Sequence, residues 1–264
     1  MPARLKPDFD RVYHTAYGES FKIVKYDNCD SVFISYTDEP DCVVKTRTVN
    51  IRDGNPPNPY RPVICSKGFH GEGYPISVNN KKTLEYVKWH GMLSRCYGVN
   101  HSEDHARAVK CYSDAGSSVD PLWYNYQMFA KWFKQEMQDS NLEGKVVCLD
   151  SDLLNQKGNL YSENTCCLLP YELNIAIQLA TKMQYDHGRN LYAVKVTRTV
   201  TGQSEHIGRC SSESEAWEIY AKFKDMYIKD AYEKLQCKLP ERVENALLNF
   251  NCLTRVKELG YFKI

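Results

Sequence analysis

No run of apolar residues in this chain approaches the roughly 18–20 that a membrane-crossing helix requires. The opening residues, MPARLKPDFD, also lack the apolar core of a secretory signal. Both absences lead to the expectation of a soluble, cytoplasmic protein with no membrane partner. An excess of one charge is missing as well: 34 Lys and Arg stand against 33 Asp and Glu, a net of +1. A chain so near neutrality can bind nucleic acid only where its basic residues gather locally. Its 11 cysteines are scattered, odd in number and never spaced C-x-x-C, so no zinc site is expected. Cys166 and Cys167 sit side by side in an apolar run and read as small hydrophobes. Internal repeats and low-complexity tracts are absent, and histidine is missing from the whole of 106–186.

What is present reads as α+β in three parts. Residues 1–62 form a small β-module. FKIVKY, SVFISY and CVVKTRTV are short, rich in β-branched and aromatic residues, and separated by turn signals. Lys45 and Arg47 share one strand face there and, with Arg52, make a candidate DNA contact. RDGNPPNPYRP (52–62) reads as a linker. Residues 63–182 turn helical. Trp89, Met92, Cys96 and Tyr97 recur at helical spacing with Arg95 beside them, and PLWYNYQMFAKWFKQEM (121–137) opens with proline at a helix start. KMQYDHGRN (182–190) reads as a second linker. Residues 183–264 hold two alternating strands, a Ser-capped helix from about 211, and a last amphipathic helix from Pro240. His101 and His105 stand at i, i+4 spacing in a polar segment, where solvated and metal-binding roles both remain open.

The chemistry is concentrated in LDSDLLNQKGNLYSENTCCLLPYELN (149–174). It reads as strand, loop, strand and then helix from about Pro170, a β-β-α layout. Phosphodiester hydrolysis needs a divalent cation to neutralise charge at the scissile phosphate and a base to activate water. Mg²⁺, or Mn²⁺ in its place, takes hard oxygen ligands. Asp150 and Asp152 would leave the first strand, and Asn174 would return from the helix to complete the set. Turn-rich Asp and Asn clusters also cap hairpins for purely local reasons, so a structural hairpin stays open at this point.

These residues, preceded by W.GMLSRCY and LWYNYQMFAKWF, resemble the HNH-type endonucleases of bacteriophages, including free-standing homing endonucleases. The resemblance covers roughly 85–180. It implies a central ββα-metal domain that nicks or cuts double-stranded DNA in sequence-specific fashion, acting as a monomer or as a dimer on DNA. By motif position Asp150 stands where the family's histidine base lies, Asp152 at the acidic ligand and Asn174 at the final helix ligand. Asn164 matches the loop Asn that holds the two strands in place. Ser151 occupies a position where many relatives carry Lys. The departures at 150 and 151 leave a second reading, a DNA-binding regulator that kept the scaffold and lost the chemistry. A protein-binding module on the same fold is a third.

The tail, RNLYAVKVTRTVTGQSEHIGRCSSESEAWEIY, resembles the plant ethylene-response DNA-binding module, a three-stranded sheet on one helix whose sheet enters the major groove. Tyr192 and Ala193, Ile207 and Gly208, and Glu215, Ala216 and Tyr220 carry the match. Arg189, Lys195, Arg198 and Arg209 concentrate positive charge in and around its strands, suited to phosphates and guanine edges. Glu205 and Asp186 are the acids nearby.

Overall fold

Alternation of apolar and polar residues in SFKIVKYDN and SVFISY builds an antiparallel meander at the start of the computed structural model. Residues 7–98, 109, 110, 112–155, 159–197, 203–235 and 238–262 are described. The chain is α+β with several small sheets, and it divides into two compact units, Met1–Arg61 and Pro62–Ile264.

In the first unit, β1 (Val12–His14), β2 (Ser20–Asn28), β3 (Ser31–Tyr36) and β4 (Glu39–Thr46) pair in sequence order. Phe21, Ile23, Val32 and Ile34 all turn to one face and form a core with Tyr36 and Ile51. Residues after Thr46 depart from the expected β-structure. They form α1 (Thr48–Arg52), which sends Ile51 into that core. The proline-rich 52–62 segment, read as a linker, is tied down within the unit. The Tyr36 hydroxyl donates to the Pro56 and Pro57 carbonyls at 3.2 and 3.1 Å. Arg61 forks onto Glu19 at 2.9 and 2.6 Å, and this bond holds the Glu19 carboxyl below its usual range.

The second unit opens on the hairpin β5 (Ser77–Val78) and β6 (Lys81–Lys82). Its two-residue turn, Asn79 and Asn80, adopts positive φ at both positions, as the tightest hairpins demand. Helix α2 (Leu84–Tyr97) starts at Thr83, whose hydroxyl accepts from the Tyr86 amide. Strand β7 (Ser118–Val119) and a 3₁₀ turn (Pro121–Tyr124) lead to α3 (Tyr126–Asp139), capped by Asn125. Trp89, Tyr126, Trp123, Phe129 and Trp132 interlock the two helices, and the Trp89 indole donates to the Trp123 carbonyl at 2.7 Å.

Strand β8 (Val147–Asp150) is followed by β9 (Leu160–Tyr161), which pairs in parallel with β7. Strand β10 (Cys167–Pro170) then lies antiparallel on β8, and α4 (Tyr171–Ile177) follows at once. Strand β10 is buried on both faces. Leu168 joins the aromatic core, while Cys167 and Leu169 join a second core behind it. Two-sided burial accounts for the unbroken apolar run CCLLP.

The 182–190 segment, expected to be a linker, supplies β11 (Gln184–Asp186), the edge of a three-stranded sheet with β12 (Leu191–Thr197) and β13 (Ser204–Cys210). Helix α5 (Glu213–Leu235) covers the sheet with Ala216, Trp217 and Tyr220. Farther along, its Ala221, Ile228 and Ala231 enter the second core with Leu153, Leu169 and Leu173. Helices α6 (Glu241–Leu248) and α7 (Cys252–Glu258) close that core through Val243, Leu247 and Cys252. Sheet-plus-helix and β-β-α elements thus lean on one shared helix. No helix among the described residues is long and apolar enough to cross a membrane.

Candidate functional site

Asp150 ends β8 opposite Cys167 and turns its side chain back onto the departing chain. Its Oδ1 accepts from the amides of Asp152 (3.1 Å) and Leu153 (2.8 Å), an Asx-type turn that fixes how the strand ends. The side chain is 9 % exposed. Burial is the main force raising its carboxyl to about 6, with the neighbouring Asp152 charge adding; the two amide donors and Arg255 pull the other way. Asp152 reaches solvent, yet the protein packed around it also pushes its carboxyl upward, with Arg255 opposing.

Asn174, on the first turns of α4, faces the same space. A cavity of about 800 Å³ is lined by Asp150, Ser151, Asp152 and Asn174, and also by Lys88, Arg95 and Arg255. Three of the four residues picked from the sequence are therefore brought together. The fourth is not: Asn164 is exposed, lies outside the cavity lining, and makes no side-chain hydrogen bond among the described residues. Thr165 ties the loop instead. Its hydroxyl donates to the Leu160 carbonyl at 2.6 Å and accepts from the Ser162 amide at 3.0 Å. Among the described residues no histidine lines the cavity; His101 and His105 lie outside the described residues.

The donor set fits a hard divalent cation. Two carboxylates and an Asn side chain line one cavity, and the Asp152 charge adds to burial in raising the Asp150 carboxyl. Among the described residues no group of three or more His, Cys, Asp or Glu is placed to hold a metal ion. A site with only two carboxylates suits Mg²⁺, which keeps several of its waters.

The cations on the cavity wall were less legible. Lys88 and Arg95 lie seven residues apart on α2, two turns along the same face. Arg95 sits over the rings of Tyr112 and Tyr161, 5.5 and 5.7 Å from their centroids. Arg255 comes from α7, more than a hundred residues beyond the acids. Nothing in its local sequence marks it.

The basic candidates outside the cavity divide. On the C-terminal sheet Lys195 pairs with His206 and Ala193 with Arg209, and Lys195, His206 and Arg209 are exposed. Glu205 is turned away onto α5, where the Tyr227 hydroxyl donates to it at 2.6 Å. Arg189 is held by Asp186 at 3.0 Å. Arg198 lies outside the described residues. In the first unit Lys45 is exposed on β4, whereas Arg47 lies beyond the strand end and pairs with Asp30 at 2.8 Å.

Comparison of the chain with protein-family models, curated proteins and solved structures finds no match.

Proposed function

We propose that the protein is a metal-dependent, sequence-specific DNA endonuclease or nickase of the phage homing-endonuclease type. The observation that carries this reading is the convergence of Asp150, Asp152 and Asn174 on one cavity from a β-β-α element, with Lys88, Arg95 and Arg255 on its walls. Such a cavity pairs oxygen ligands for a cation with donors for an anionic backbone, the two needs of phosphodiester hydrolysis.

Asp152 and Asn174 would hold the metal, Mg²⁺ or Mn²⁺. Asp150, whose Oδ1 is engaged by two amides, offers Oδ2 as a further ligand or as the acceptor of a water proton. Bound there, the metal would neutralise charge on the scissile phosphate and leaving oxygen. Lys88 and Arg95 draw the strand in and orient its phosphates. Lys195 and Arg209 on the open sheet would hold double-stranded DNA, with Lys45 a second contact. A single site of this kind cleaves one strand, so a monomer nicks and a dimer on DNA is needed for a double-strand cut.

The second reading, a DNA-binding regulator without catalysis, is favoured by Asp150 and Ser151, which stand where the HNH-type endonucleases that the chain resembles carry His and, in many cases, Lys. Supercoiled target DNA incubated with Mg²⁺, Mn²⁺ or EDTA separates the two. Metal-dependent conversion to open circles by the wild type, absent in Asp152→Ala, supports the endonuclease. Intact DNA that still shifts on a gel sinks it in favour of the regulator.

A further inference from the structure

Arg255 is 8 % exposed, an unusual position for a guanidinium. It stands on α7 between Cys252 and Val256, both wholly buried. Its Nη2 donates to the backbone carbonyl of Asp152 at 2.8 Å. Its Nη1 is buried with no hydrogen-bond partner among the described residues. A donor left unmet in this way costs the fold about 1–3 kcal/mol. A methionine of similar reach would fill the space without desolvating a charge, but it would leave the Asp152 carbonyl without this donor and the two acids without the positive charge beside them. Packing within the α7 core alone gives no reason for a cation here.

The candidate site does give one. The amides of Asp152 and Leu153 hold the Asp150 carboxylate, so the direction of Asp150 depends on where the 151–153 backbone lies. Arg255 grips that backbone at the carbonyl of Asp152, the second acid. Leu153 below it is anchored in the core that α7 helps to close. The turn is thus held from one side by an apolar anchor and from the other by a charged hydrogen bond.

We propose that Arg255 is a positioning residue of the candidate active site, clamping the Asp152 carbonyl so that the turn 150–153 presents both carboxylates to the cavity. The effect on catalysis rests on the endonuclease reading; the effect on the turn does not. The last helix of the chain thereby becomes part of the site, and the acids are set by a residue outside the β-β-α element.

The test uses the full chain with Arg255→Met and Arg255→Lys. Hydrogen exchange of the segment 150–155 is followed by mass spectrometry, beside urea unfolding and metal-dependent nicking. In Arg255→Met, exchange of that segment should accelerate about tenfold or more, the loss expected for a charge-assisted hydrogen bond. Any loss of global stability should be smaller than the local loss that the exchange reports, and nicking should fall at least about tenfold. Lysine, whose ammonium can reach the same carbonyl, should restore most of both. Unchanged exchange in Arg255→Met overturns the proposal, and so does accelerated exchange with wild-type nicking. A loss of global stability that explains the faster exchange overturns it too, since the role would then be structural. If the wild type itself leaves DNA intact, the endonuclease reading falls, and exchange alone decides whether the clamp exists.

Discussion

Replacing Asp150 by Asn should make the protein more stable at neutral pH, and the size of the gain follows from the site. The carboxyl is raised from an ordinary 3.8 to about 6, chiefly by burial. Between those two values the native state binds a proton that the unfolded chain has released, so stability falls as pH rises through this window. Below about pH 4 the penalty is absent; above about pH 6 it is complete, roughly 3 kcal/mol at 1.36 kcal/mol per pH unit. Asparagine retains the Oδ1 that receives the amides of Asp152 and Leu153 and cannot ionise. Asp150→Asn should therefore unfold about 3 kcal/mol later than wild type at pH 7.5, with the gap closing toward pH 4. Urea unfolding followed by tryptophan fluorescence is the assay, since Trp89, Trp123, Trp132 and Trp217 all belong to the second unit. Other titrating groups, such as the buried Glu136, are common to both proteins and largely cancel in the difference. On the endonuclease reading, added Mg²⁺ should stabilise the wild type alone and narrow the gap, because the proposed metal site needs both acids. A variant no more stable than wild type at pH 7.5, or a gain that does not shrink at low pH, would refute the reasoning.

The remaining expectations probe other parts of the molecule. Thr165→Val, which removes the loop's hydroxyl tie, should cost about 1–3 kcal/mol, while Asn164→Ala should stay within about 0.5 kcal/mol; urea midpoints decide, and the reverse order would return the loop role to Asn164. Leu169→Ala, at a wholly buried position, should cost about 2–5 kcal/mol, read as a lower unfolding midpoint. Lys195→Ala and Arg209→Ala should each weaken DNA binding and reduce the slope of log affinity against log salt by about 0.9; an unchanged slope in both removes the sheet as the DNA-reading face. Asp152→Ala should abolish metal-dependent nicking and leave salt-sensitive DNA binding intact, measured by gel shift on the same target.

Much of the architecture is written locally and could be read from the chain. Alternation in SFKIVKYDN and SVFISY defines two strands because side chains on a strand change face at every residue. Trp89, Met92 and Cys96 define a helix face for the same kind of reason, at a period of 3.6. The order strand, loop, strand, helix around Asp150, Asp152 and Asn174 is equally local, and those three residues do meet at one cavity. Other features exist only because distant segments pack together. QYD carries no strand pattern of its own and becomes β11 through pairing with β12. Glu205 leaves the basic face because a tyrosine of α5 receives it, and Asn164 yields the loop to Thr165 through hydrogen bonds that close only in the folded turn. Arg255 reaches Asp152 across 103 residues of chain. Periodicity reports which face of an element is apolar; it carries no information about which distant side chain arrives at that face. The sequence by itself determined the elements and the acids. The tertiary structure decided which cations surround those acids and what holds them in place.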